Sequence, residues 1–135
     1  MDLFNCEIIS YHLNISPTVY FTNKSLEDAV KKLPQDHHLI VHTDQGFHYQ
    51  PKSWVKILED NTIKQSMSRR ANCLDNSPME NFFGLLKQEI FYAIKYDSID
   101  ELAEEIKRSI YWYNHHRLKE KLNGLSPIEY RLQAA

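Results

Sequence analysis

Leu39-Ile40-Val41-His42-Thr43-Asp44-Gln45-Gly46 is the stretch on which the fold turns. Five residues form a short, nearly continuous apolar run, the signature of a strand buried on both faces in a parallel sheet, and the run stops at an Asp-Gln-Gly turn. Downstream, Pro51 opens a helix whose buried side is Trp54, Val55 and Leu58, and Asn61 closes it before a brief strand over Thr62 to Met67. Strand, helix and strand at this spacing predict a βαβ unit and an α/β fold class.

Upstream, the β-branched and aromatic residues of Glu7 to Leu13 predict a strand leaving a hairpin at Asn5. Asn23 or Ser25 is expected to cap a helix running to about Leu33, where Pro34 ends it, with Leu26, Ala29, Val30 and Leu33 as its stripe. Beyond a polar loop over Ser68 to Asn76, Asn76 or Ser77 caps a helix to about Tyr92, with Pro78 in its first turn. A longer helix, Ser98 to Asn114, carries Ile99, Leu102, Ile106, Ile110 and Tyr113 on one face and acids at its start. A basic turn and a last helix to Leu132 complete a helical tail over about 98–135. The whole chain is expected to be one domain.

Composition is that of an ordinary water-soluble protein, with 42% apolar and 25% charged residues. No apolar run approaches the roughly 20 residues that cross a bilayer, so no membrane contact and a cytoplasmic, nucleoid-associated location are expected. Cys6 and Cys73 have no zinc or redox spacing. The formal net charge of −2 argues against bulk coating of DNA, so local clusters matter more. Lys64, Arg69 and Arg70 form one, and the segment from Lys107 to Lys121, including Arg117, forms another; either is also what a solvated surface looks like.

Asp44 sits at the carboxyl end of the predicted buried strand, where open α/β sheets place ligands, and Gly46 permits a tight turn or a close approach of backbone to a ligand. Alone, the motif is more often a plain turn than an active site. Glu80, with thirty-five residues between, lies in the first turn of a helix, where an acid also simply complements the dipole. Lys87 follows seven residues later, two turns along the same face. Together, two carboxylates can hold hard divalent cations and a lysine on that face can meet a phosphate. His42 and His48 flank Asp44, but imidazole suits Mg²⁺ poorly and neither is expected to be a catalytic ligand.

His42-Thr43-Asp44-Gln45-Gly46, the run from Ser66 through Asn76-Ser77-Pro78-Met79-Glu80-Asn81 to Phe83, Tyr113-Asn114-His115-His116-Arg117, and Leu122-Asn123-Gly124-Leu125-Ser126-Pro127 closely resemble insertion-sequence transposases with a retroviral-integrase-like core. The resemblance covers essentially the whole chain in order. It implies a ribonuclease H-like fold and an Asp-Asp-Glu triad binding two Mg²⁺ or Mn²⁺ ions, with Asp44 as the second acid and Glu80 as the third. It implies that Lys87 contacts transposon-end DNA; Lys64, Arg69, Arg70 and Arg117 are expected to contact phosphates as well, because the chemistry must act on varied target sequences. The partners it implies are transposon ends, target DNA, and further copies or a full-length transposase.

The family's first aspartate lies on a strand that would precede Met1, and Asp2 matches only an acid at the hairpin. The expectation is therefore a partial ribonuclease H-like fold lacking its first strands, from a truncated, frameshifted or misannotated gene, with apolar side chains exposed along Leu39 to Thr43. Such a chain is expected to be inactive or nearly so alone. The alternative is an inactive module that binds DNA or transposase.

Overall fold

A computed structural model describes residues 1–16, 18–68 and 76–134. The chain divides into two compact units, one formed by Ser10–Ser77 and the other by Met1–Ile9 with Pro78–Ala135.

In the first unit, β1 (Ile40–Thr43) and β2 (Lys64–Met67) pair in parallel, Ile40 opposite Lys64 and Thr43 opposite Met67. The crossover between them contains α2 (Lys52–Asp60), which Pro51 precedes as N-cap, so the expected βαβ unit is present. α2 buries Trp54 and Leu58 against Leu26 of α1 (Val19–Val30) and against Ile63. Leu58 and Ile63 also complete the end of α2. The Ile63 amide reaches the Leu58 carbonyl and the Thr62 amide the Glu59 carbonyl, the paired bonds of a Schellman motif with its apolar contact. This motif puts Thr62 at φ 56°, a left-handed conformation that β-branched residues resist, and it shortens the expected strand, which starts at Lys64 rather than Thr62.

Three other expectations for this unit need correction. α1 starts at Val19, with the Thr18 hydroxyl accepting from the Phe21 amide, and not at Asn23 or Ser25. Those two residues have tertiary partners instead: the Asn23 amide donates to the Ser53 hydroxyl, and the Ser25 carbonyl accepts from the Ser10 hydroxyl. Glu7 to Leu13 forms no strand. The Ile8 amide and carbonyl are met by the Asn114 side chain and the Glu7 carbonyl by the Asp2 amide. β1 is not buried on both faces either: Ile40 is 59% exposed and Leu39 37%, while Thr43 is buried. Among the described residues β1 pairs only with β2, which leaves its other edge open.

The second unit packs α3 (Ser77–Leu86) and α4 (Ile99–His116) around Ile8, Phe82, Ile110 and Tyr113. α3 continues into one turn of π-helix over Lys87–Phe91, closed by the Tyr92 amide on the Lys87 carbonyl. Ser98 caps α4 by accepting from the Glu101 amide, and Asp100 and Glu101 lie in its first turn as the helix dipole favours. Ile99, placed on the apolar face from its spacing, is 66% exposed, because the packed part of α4 begins further along. α5 (Pro127–Ala134) opens with a reciprocal capping box: the Ser126 amide donates to Glu129 and the Glu129 amide to the Ser126 hydroxyl. Asn5, fully buried, donates to the Pro127 carbonyl and to Glu7, and Glu7 pairs with Arg131 at 2.9 Å.

Candidate functional site

Asp44 leaves the carboxyl end of β1 with its side chain exposed. Its Oδ1 accepts from the Gly46 amide at 2.8 Å, closing an Asx turn that fixes the carboxylate to its own backbone. Gly46 is needed here for space rather than for an unusual φ: a Cβ would lie 2.8 Å from that same Oδ1. Tyr49 packs edge-on against Trp54, and burial, followed by the negative charge of Asp44, raises its phenol pKa. Among the described residues no cation pairs with Asp44.

Around this turn lies a polar network that sequence reasoning did not single out. His42 uses both ring nitrogens, Nδ1 with the Ser66 hydroxyl at 3.0 Å and Nε2 with the Ser68 hydroxyl at 2.9 Å. The ring is therefore engaged on both sides. Gln45 donates to the Ser68 carbonyl at 3.1 Å, and Gln50 donates to the Gln45 carbonyl at 2.8 Å. The His48 ring lies tilted at 50° against Phe47, with the ring centroids 3.6 Å apart.

Glu80 lies in the first turn of α3 and Lys87 begins the π-helical turn; both side chains are exposed and neither has an ion-pair partner among the described residues. Lys64 is exposed but opens β2, at the opposite end of the sheet from Asp44 and separated by roughly 10 Å of strand. Arg117 is largely committed within its own unit. Its Nη1 meets both Glu89 carboxylate oxygens at 2.8 Å and its guanidinium lies over the Trp112 ring. Arg117 and Glu89 sit at the rim of a cavity of about 260 Å³ between α3 and α4, walled by Phe82, Leu86 and Trp112. Arg69 and Arg70 lie outside the described residues. Among the described residues no group of three His, Cys, Asp or Glu side chains is gathered as a metal cage.

An exposed acid at the end of a parallel β1, fixed by an Asp-Gln-Gly turn, on a chain with a βαβ unit followed by helices, defines a class. The integrase core domain family matches residues 1–73, and a second family of the same description matches residues 80–134. The chain belongs to the integrase core domain family. It is 46% identical over 133 residues to a candidate transposase, InsK, of insertion sequence element IS150 from Escherichia coli (strain K12), covering 98% of this chain and 47% of that protein. It is 45% identical over 133 residues to a transposase-like protein of Haemophilus influenzae, covering 98% of this chain and 61% of that protein. A transposase for insertion sequence element IS904 of Lactococcus lactis is 29% identical, with 96% of this chain and 52% of that protein covered. The chain thus spans about half the length of the curated relatives it matches.

Proposed function

We propose that this chain serves in the transposition of an insertion sequence, contributing Asp44 and Glu80 as two of three carboxylates of a metal-dependent strand-cleavage and strand-transfer site. The observation that carries this is the Asp44 carboxylate: exposed at the carboxyl end of a parallel strand, fixed by the Gly46 amide, and unpaired with any cation among the described residues. Its second oxygen and the exposed Glu80 suit Mg²⁺ or Mn²⁺, which prefer oxygen ligands, and the engaged His42 ring does not compete. Two such ions, when bound, would favour the attacking hydroxyl and the leaving oxygen of an in-line displacement at phosphorus.

In this proposal Asp44 and Glu80 act in a catalytic core of ribonuclease H-like type. Lys87, with its exposed ammonium, contacts backbone phosphate of transposon-end or target DNA. Lys64 and the cations Arg69 and Arg70 are secondary phosphate contacts, and Arg117 becomes one only by releasing Glu89. The open edge of β1 beside exposed Leu39 and Ile40 supports association with a further copy or a full-length transposase.

A chimera tests the proposal. These residues replace the matching 133 of the IS150 relative, and strand transfer is followed on a transposon-end duplex with Mg²⁺ or Mn²⁺. Activity is expected in the chimera and lost in Asp44→Asn and in Glu80→Gln, each as severely as in the double variant. Full activity in either single variant overturns the site.

A further inference from the structure

Ser68 bonds to the residues on both sides of Asp44. Its amide donates to the Thr43 carbonyl at 2.9 Å, extending the parallel ladder one step past β2. Its carbonyl accepts from the Gln45 side chain at 3.1 Å, and its hydroxyl meets His42 Nε2 at 2.9 Å. Residues 42, 43 and 45 are thus all tied to one buried serine, while the carboxylate between them stays exposed. His42 in turn is anchored through Nδ1 to Ser66 inside β2, so the strut has a rigid foot.

We propose that Ser68 and His42 are positioning residues for Asp44, a clasp that fixes the direction of the carboxylate without touching whatever it binds. This rests on the proposed role of Asp44 as a metal ligand, but the clasp itself is a statement about the turn. Three separate bonds converge on a residue only 4% exposed, so movement of the turn must break at least one of them. Unsupported, residues 44–46 would be an exposed loop whose carboxylate samples several rotamers. Orienting partners of ligating carboxylates and imidazoles typically change metal affinity by about 10- to 100-fold when removed.

Two readouts on the 135-residue chain separate the clasp from the metal proposal. The first is the Gly46 amide, which donates to Asp44 and reports the turn by its nuclear magnetic resonance shift and hydrogen exchange with no metal added. The second is Mn²⁺ affinity, followed by electron paramagnetic resonance. In Ser68→Ala the Gly46 amide is expected to lose protection by about 10-fold or more and Mn²⁺ to bind about 10- to 100-fold more weakly. Ser68→Thr, which restores a hydroxyl, is expected to recover both. Should Ser68→Ala unfold the unit, Gln45→Ala, altered only on an exposed side chain, carries the same expectation for the Gly46 amide. An unperturbed Gly46 amide in Ser68→Ala and in Gln45→Ala overturns the clasp. Mn²⁺ binding that survives Asp44→Asn overturns the metal role instead, and the amide readout still decides the clasp.

Discussion

Replacing Asn114 tests how the segment around Ile8 is held. Asn114 is 8% exposed on α4, and its side-chain amide grips one residue twice: Oδ1 accepts from the Ile8 amide at 2.9 Å and Nδ2 donates to the Ile8 carbonyl at 3.0 Å. The side chain thus does for Ile8 what a neighbouring strand would do. Ile8 is itself 7% exposed within the core of its unit, so water is a poor substitute partner. Asn114→Leu keeps the volume and removes both bonds, leaving a buried donor and a buried acceptor. Each costs about 1–3 kcal/mol, so a loss of roughly 2–6 kcal/mol is expected. That is a large share of the roughly 5–15 kcal/mol that holds a domain together. Asn114→Asp should do no better, since a carboxylate accepts from the Ile8 amide but opposes the Ile8 carbonyl. The assay is urea unfolding combined with hydrogen exchange of residues 6–10. A loss below about 0.5 kcal/mol in Asn114→Leu, with Ile8 still protected, would refute the reasoning.

Thr62→Gly should stabilise the first unit by about 1 kcal/mol, because glycine tolerates the φ of 56° that threonine resists; unchanged urea midpoints would count against strain at this turn. Leu58→Ala, at 2% exposure on α2 in the cluster with Leu26 and Ile63, should cost about 2–5 kcal/mol in the same assay. Gly46→Ala should leave stability within about 1 kcal/mol yet push the Asp44 carboxylate aside, so the resonance of residue 44 shifts while far-ultraviolet circular dichroism does not. Lys31 and then His12 hold the Asp28 pKa down at about 2, below its ordinary 3.8. A depressed acid stabilises the fold above its unfolded value and loses that contribution as pH falls through the folded one. Acid titration between about pH 4 and 2 should therefore weaken the wild type, with Asp28→Asn losing that component of the pH dependence. Lys87→Ala should reduce the salt slope of DNA binding by about 1, whereas Arg117→Ala should change stability before it changes the slope.

The βαβ unit could be read directly because its signals are local. Leu39-Ile40-Val41 has β-branched side chains, Pro51 fixes a helix start, and Trp54 and Leu58 repeat at helical spacing. The segment Glu7 to Leu13 has the same kind of signal and forms no strand, since a strand exists only with a partner. The Ile8 backbone finds its partner in a side chain 106 positions away. The start of α1 misled for a related reason. Asn23 and Ser25 are good caps by chemistry, but Ser53 and Ser10 engage them, and Thr18 takes the capping role.

The candidate site divides along the same line. Asp44 could be picked out because the end of a parallel strand exposes whatever residue follows it, a consequence of topology that needs no knowledge of neighbours. Charge type and helical phase likewise place Glu80 and Lys87 on α3 and its π-helical extension. What sequence cannot carry is whether a charge is already satisfied. Lys87 and Arg117 are both cations in a basic context, yet Arg117 is bound to Glu89, 28 positions away, and Lys87 has no ion-pair partner among the described residues. A serine following a strand says even less. Ser68 acquires meaning only when β2 ends level with β1 and its three polar groups meet residues 42, 43 and 45. The register Thr43 to Met67 therefore decides which residues Ser68 meets, and a slip of one residue would take its three polar groups away from residues 42, 43 and 45.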